Sequence, residues 1–351
     1  MEKGFFIHPV TGVKTPCASW APGMQLENAN GAISDVSLGY QYAIQTTTLI
    51  RARVIEQKFY KVPFAEYIPV EVGTGAFLED IKTNLTFDAA GSFESGIQGT
   101  SSGPTQVAQV HVGTSPRTAA IVTWAKGYQY NMVELKKALA SNNWDIVESK
   151  MKALKRNWDL GLQQVAFLGL QSNSAIPGLL TNSDVTEDTD TIKAFIHSLS
   201  YSDFATLVQN LLAAYFANSN YTVLPDHFAI PVEDFLGLET PVSPQFPTVS
   251  MLEFLEKAFK KATQNPNFKI VPIAYCDQVN NAGFGGEALG KNYYVLYRND
   301  PETLKMDIPV DMILNPAATG DNFNWNGVGV GQFTGTVIYR IPEVYYCNWA
   351  A

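Results

Sequence analysis

The chain has 351 residues, 46% of them hydrophobic and 12% aromatic, with only 16% charged and a formal net charge of −9. The acidic balance excludes a general nucleic-acid binder, which needs a basic stripe to neutralise phosphates, although a wall that merely encloses DNA needs no affinity for it. Charge below the usual ~25% suits a surface buried against other copies of the chain, since interface cores are poor in charge and rich in aromatic rings; a neutral-surfaced monomer fits the composition as well.

Cys17, Cys276 and Cys347 are odd in number and far apart, with no CxxC, which argues against a disulfide frame or a zinc site. The apolar run near Met1 is too short for a signal peptide, and the stretch from Phe204 to Ala217 is broken by Thr206, Gln209 and Asn210, too polar to span a bilayer. The expectation is a soluble protein made in the cytoplasm, with no membrane partner.

Residues 1–33, rich in Gly, Pro and Asn without an apolar period, read as an extended arm. Ser34 or Asp35 can cap a helix over 34–58, where Val36, Tyr40, Ala43, Thr47, Ile50 and Val54 recur at helical spacing until Pro63 closes the segment. Residues 64–126 read as strands: one at 67–72, one carrying Leu85 and Phe87, one carrying Val107, Val110 and Val112, and one from Ala119 to Trp124. The Gly/Ser-rich segment 89–104 between them suggests the tip of a long projecting hairpin, with a loose surface loop as the plainer reading. A short helix follows at 132–140.

The clearest element is a helix over 144–168, capped by Asn142 or Asn143. Trp144, Val147, Met151, Leu154, Trp158, Gly161, Val165 and Leu168 step by three and four, and charged residues such as Glu148, Lys152 and Lys155 fill much of the rest. One narrow stripe predicts a helix lying across a sheet. A loop around Ile176-Pro177-Gly178-Leu179-Leu180 follows. Helices over 202–219 and 250–263 alternate with strands at 221–224, 269–275 and 293–297, and from Gly327 the chain is β again.

Nothing points to catalysis. Residues 285–292 (GGEALGKN) nearly match the phosphate loop GxxxxGK[ST], but Asn292 replaces the hydroxyl and a strand rather than a helix follows. His8, His111, His197 and His227 share no motif. Asp184, Glu187, Asp188 and Asp190 lack the ligand alternation and Gly of a calcium loop and read as a solvated turn. Lys82, near the hairpin, and an Asn such as Asn315 suggest a side-chain crosslink only weakly, lysine being common. No catalytic, cofactor or metal residue is assigned, and the chain is expected not to be an enzyme.

Three stretches resemble tailed-bacteriophage major capsid proteins of the HK97-like fold: Leu49-Ile50-Arg51-Ala52-Arg53 running to Tyr67-Ile68-Pro69-Val70; Gly161 to Leu168 with the Ile176–Asn182 loop; and Tyr297-Arg298-Asn299-Asp300-Pro301-Glu302-Thr303-Leu304-Lys305 leading to Ile308-Pro309. The element order matches that family too. The resemblance implies an α+β fold with an N-terminal arm and helix at 1–60 and strands with an extended E-loop hairpin at 61–126. It implies a peripheral domain at 127–189 and 291–351 carrying the spine helix 144–168, and an axial domain at 190–290. It also implies self-assembly into hexamers and pentamers of an icosahedral head around double-stranded DNA. The expected partners are copies of the chain, a portal protein, and scaffolding or decoration proteins. The competing readings are an encapsulin-type nanocompartment shell and, from another class, an α+β hydrolase or transferase.

Overall fold

Helices and strands interleave along the chain in the computed structural model, which describes residues 5–7, 14–16, 63–73, 77–89, 91, 109–140, 146–243, 246–284, 288–315, 317–319 and 323–350. Contacts divide the chain into two units, one of residues 1–60, 129–150 and 318–326 and the other of 61–128, 151–317 and 327–351. The helix expected over 34–58, most of the expected hairpin tip, and Trp144 with its capping asparagines lie outside the described residues. Of the expected extended arm, β1 (Phe5–Ile7) and β2 (Lys14–Pro16) are described, and they pair antiparallel as a small ribbon.

In the first unit, Asn131 accepts the Glu134 N–H at 2.7 Å and so starts the helix α1 (Met132–Ala140) where expected. Lys150 reaches Glu134 at 3.0 Å, and Tyr130 stacks on Trp325 with ring centroids 5.6 Å apart.

The second unit is organised by a five-stranded sheet. Its order is Lys269–Pro272, His227–Ile230, Asn292–Tyr297, Val344–Trp349 and Glu187–Asp188. Numbered along the chain, these strands are β10, β7, β11, β17 and β6. All of β7 and β11 is buried, as expected of strands covered on both faces. Side chains alternate between two cores. Tyr293, Val295, Tyr297, Val344 and Tyr346 enter one with the end of the long helix. Tyr294, Leu296, Tyr345 and Cys347 enter the other with α3 (Tyr201–Asn218) and α5 (Met251–Thr263). Ser200 and Ser250 cap those two helices through the N–H groups of Asp203 and Glu253.

A strand expected at 221–224 is a turn instead. The Tyr221 N–H donates to the Phe216 carbonyl at 2.8 Å, and Asn220 and Tyr221 take left-handed backbone conformations that stop α3. The strand is β7, after Pro225. The strand expected at 119–124 and Val112 of the one expected around 107–112 lie in one 21-residue strand, β5 (His111–Asn131); Val110 precedes it, and Val107 lies outside the described residues. Pro116 stands within it, opposite Asn84 of β4 (Asp80–Ala89). Ser115-Pro116 is a turn-favouring pair in the sequence, but pairing with β4 continues on both sides of it.

The long helix is α2 (Ile146–Leu168). Its first turns carry the expected stripe, with Leu154 and Trp158 buried. From Leu162 it is buried almost all round, Gln163 included. Residues 161–168 carry no charge, so this end enters the core rather than lying across a surface. The stripe rests on β15 (Asn324–Thr334), whose glycines alternate along one face. A Cβ at Gly329 would lie 2.9 Å from Leu154, and one at Gly331 would lie 2.5 Å from Trp158. Trp158 also donates to Asp311 at 3.0 Å.

The Ile176–Asn182 loop caps α2. The last carbonyls of a helix have no partner within it. Here Gly169 N–H bonds Val165, Leu179 N–H and the Thr336 hydroxyl bond Ala166, Leu180 N–H bonds Phe167, and the Thr181 hydroxyl bonds Leu168, at 2.7–3.2 Å. Backbone runs so close to backbone that a Cβ at Gly178 would lie 2.4 Å from the Phe167 carbonyl and the Gly169 nitrogen.

Candidate assembly surfaces

The residues first considered for chemistry are engaged elsewhere. Asn292 opens β11, so a strand follows the near phosphate loop, and Lys291 lies 3.4 Å from Glu187. His111 is exposed on β5, His197 lies 2.8 Å from Asp234, and His227 lies 2.7 Å from Asp226; His8 is outside the described residues. Asp188 accepts the N–H groups of Asp190 and Thr191 and the Tyr345 hydroxyl, closing a turn. Glu187 accepts from Asn348 at 3.0 Å. Lys82 pairs with Asp80, whereas Asn315 is held through its backbone by Val328 and Tyr128. Among the described residues no group of three or more His, Cys, Asp or Glu is placed to hold a metal ion.

Two of the stretches singled out in the sequence pack on each other. Residues 63–73 enter the second unit across the segment that starts at Tyr297. The Tyr297 hydroxyl, its pKa pushed up by burial, donates to the Tyr67 carbonyl at 3.0 Å, and the Asn299 amide donates to the Glu66 carbonyl at 2.9 Å. β3 (Val70–Val72) then runs parallel to β12 (Leu304–Ile308), which also pairs with β16 (Thr336–Ile338). Lys305 bonds Glu71 and lies 3.0 Å from the carboxylate of Asp307, which is 1% exposed. This root fixes where the following hairpin leaves.

β4 and the first half of β5 form that hairpin, paired from Asp80↔Ala120 to Ala89↔His111. Its base is clamped by the buried Gln332, whose amide both accepts from the Leu78 N–H at 3.1 Å and donates to the Leu78 carbonyl at 3.2 Å. One face turns toward the body. On it Ile81, Leu85 and Ala119 pack with Val337 and Tyr339, Thr83 bonds the Tyr339 hydroxyl, and Arg117 bonds Asp184. Farther out on the same face Phe87 lies over Gly113, its directly paired residue, and is 57% exposed. The covered apolar face therefore continues outward uncovered. A two-stranded ribbon is marginal in water by itself, so this outer half is a surface suited to a partner.

Asp234, fully buried on α4 (Val232–Gly237), ties three segments together. Its carboxylate accepts from the N–H groups of Ile196 and His197, from the His197 ring and from the Tyr294 hydroxyl, all at 2.8–3.0 Å. Tyr221, Leu236 and Val279 are exposed, the last 88% so, and the buried Asn281 bonds Lys291 and Leu289. Asp234, Gln332 and Arg117 were not signalled by the sequence. Their partners lie 37 to 254 positions away, with no local pattern to mark them.

A family model described as major capsid protein matches residues 97–348. No curated protein matches the chain. Among solved structures, the capsid of Myoviridae phage XM1 is similar at a TM-score of 0.69 and 13% identity, with 87% of this chain and 97% of that one covered. A chain of Mycobacterium phage Bobi is similar at 0.56 and 10%, covering 92% and 100%. The capsid of a native GTA particle is similar at 0.54 and 9%, covering 88% and 98%. At these identities the likeness speaks for the fold, a mixed helix-and-sheet HK97-like capsid fold.

Proposed function

This chain belongs to the major capsid protein family, and from that premise we propose that it closes, through copies of itself, into hexamers and pentamers of an icosahedral head enclosing double-stranded DNA. It is a structural protein of a phage or phage-like particle, and that family assignment sets aside the hydrolase or transferase reading. In this reading the hairpin at 77–118 is an extended loop that lies over an adjacent subunit. The stretches 127–189 and 291–351, with the spine helix 144–168, form the peripheral domain. The lobe at 190–290 is the axial domain, which meets its copies around five- and six-fold axes, and residues 1–60 are the arm. A portal protein and, where used, scaffolding and decoration proteins join it as the head is assembled in the host cytoplasm.

The observation that carries the reading is the overhang of the hairpin: the face that Val337 and Tyr339 cover at its base runs outward with Phe87 bare. Many moderate contacts repeated by rotation give a closed shell. The test is negative-stain microscopy of the purified chain beside Phe87→Ser and Val112→Ser, which alter opposite faces of the ribbon. Wild type and Val112→Ser are expected to form particles or capsomers, and Phe87→Ser to form at least ~10-fold fewer, the scale of ~1.4 kcal/mol per contact. Absence of particles, hexamers and pentamers from wild type under every condition would sink the reading.

A further inference from the structure

Thr83 and Arg117 stand directly opposite one another in the hairpin, and this single rung carries two polar side-chain ties from the mid-ribbon to the body. The Thr83 hydroxyl donates to the Tyr339 hydroxyl at 3.2 Å, and the Arg117 guanidinium meets the Asp184 carboxylate at 2.8 Å. Asp184 is a fixed anchor. Its N–H is held by Asn182, which is 5% exposed, and the next residue, Val185, is in the core. Both belong to the stretch that continues from the cap of α2. The ion pair itself reaches water, with side-chain exposures of 25% for Arg117 and 54% for Asp184. Such a pair is weak and is screened by salt. Inside the rung, Gln332 clamps the base and the Val337–Tyr339 cluster packs on Ile81 and Ala119; just beyond it Leu85 still touches that cluster, and farther out Phe87, Val110 and Val112 are exposed.

We propose that the Arg117–Asp184 pair is an electrostatic latch that sets the tilt of the outer hairpin, and that it makes shell assembly depend on ionic strength. This deepens, and rests on, the reading of the hairpin as an assembly element. While the latch is closed, Phe87 is presented in one pose and less ordering is needed when a neighbour docks. When salt or substitution opens it, the outer half pivots about the clamped base.

Hydrogen exchange of the full chain tests the latch directly, with Arg117→Gln, Asp184→Asn and the swap Arg117→Asp/Asp184→Arg beside wild type. Amides of 80–89 and 111–118 are expected to exchange about 2–5-fold faster in each single variant, the scale of an exposed ion pair. The swap is expected to return them toward wild type, and added NaCl to speed exchange in wild type but not in the single variants. Equal exchange in singles and wild type overturns the proposal. So does a loss that the swap fails to restore, because the residues would then act through packing. Light scattering of the same proteins against NaCl reads assembly separately. A wild type that never assembles defeats the assembly reading, while the exchange result still decides whether the latch exists.

Discussion

The indole of Trp158 lies so close to Gly331 that a methyl group there would sit 2.5 Å from the ring. Trp124 and Phe333 hold the indole from the sides, with centroids 5.2 and 5.8 Å away, and Asp311 takes its N–H. A small residue on the strand and a large one on the helix thus make one joint.

Gly331→Ala should therefore destabilise the chain by about 1–3 kcal/mol, the usual range for overpacking. Gly161→Ala should do the reverse. Gly161 sits inside α2 with no atom within 4 Å of the added Cβ, so the gain is the helix preference of Ala over Gly, about 0.5–1 kcal/mol. Urea denaturation of both variants separates the two effects.

The cap of α2 is sensitive at its backbone crossing. Gly178→Ala would force a Cβ against backbone that has no rotamer to change, at 2.4 Å from Phe167 and Gly169. The expected loss is ~3 kcal/mol or more, at the upper end for overpacked cores. Thr336→Val, which removes one hydroxyl bond to Ala166, should lose about 1 kcal/mol. A thermal melt that ranks Thr336→Val as the worse of the two would contradict this account.

Lys305 compensates a buried charge. Burial opposes its ammonium, but the bonds to Glu71 and Asp307 outweigh burial and hold its pKa above the usual value of 10.5. Its contribution is therefore fully present below that value and is lost as pH rises through the higher folded one. Lys305→Met should cost ~3–5 kcal/mol by leaving Asp307 unpaired. Lys305→Met/Asp307→Asn should recover most of the loss in the same denaturation assay.

Asp277 also has its pKa raised, but here the charged form is the one the fold disfavours. Burial, with the charge of Glu233 adding to it, pushes its carboxyl above the usual 3.8, although the bond from Asn280 opposes the shift. One of its oxygens is buried without a hydrogen-bond partner. The folded state thus disfavours the carboxylate, and stability falls as pH rises from 3.8 through the folded value. Asp277→Asn should melt higher than wild type at pH ~7 and lose that advantage in acid below its unfolded pKa. Identical melting curves across pH would rule out the titration.

Legibility followed distance along the chain. The period of three and four marked α2, α3 and α5, because a helix buries a stripe of its own residues. Serine caps before α3 and α5 stand beside the helices they start. The element order and three local stretches resemble tailed-phage capsid proteins, while low charge spoke only for a surface buried against copies of the chain. What the sequence could not carry was pairing between distant segments. The inner strand β17 looks like any apolar terminal run until β11 lies along it from Asn292↔Trp349 to Tyr297↔Val344. Residues 111–131 looked like separate strands, since a strand shows no sign of where its neighbour changes.

The sequence by itself determined α1, α2, α3 and α5 and a low charge content, since these depend on residues a few positions apart or on composition. Only the tertiary structure decided which hairpin face is covered, where it runs out at Phe87, and that Arg117 meets Asp184. Those facts depend on which remote backbone stands within 3 Å of each side chain, and no local pattern encodes that.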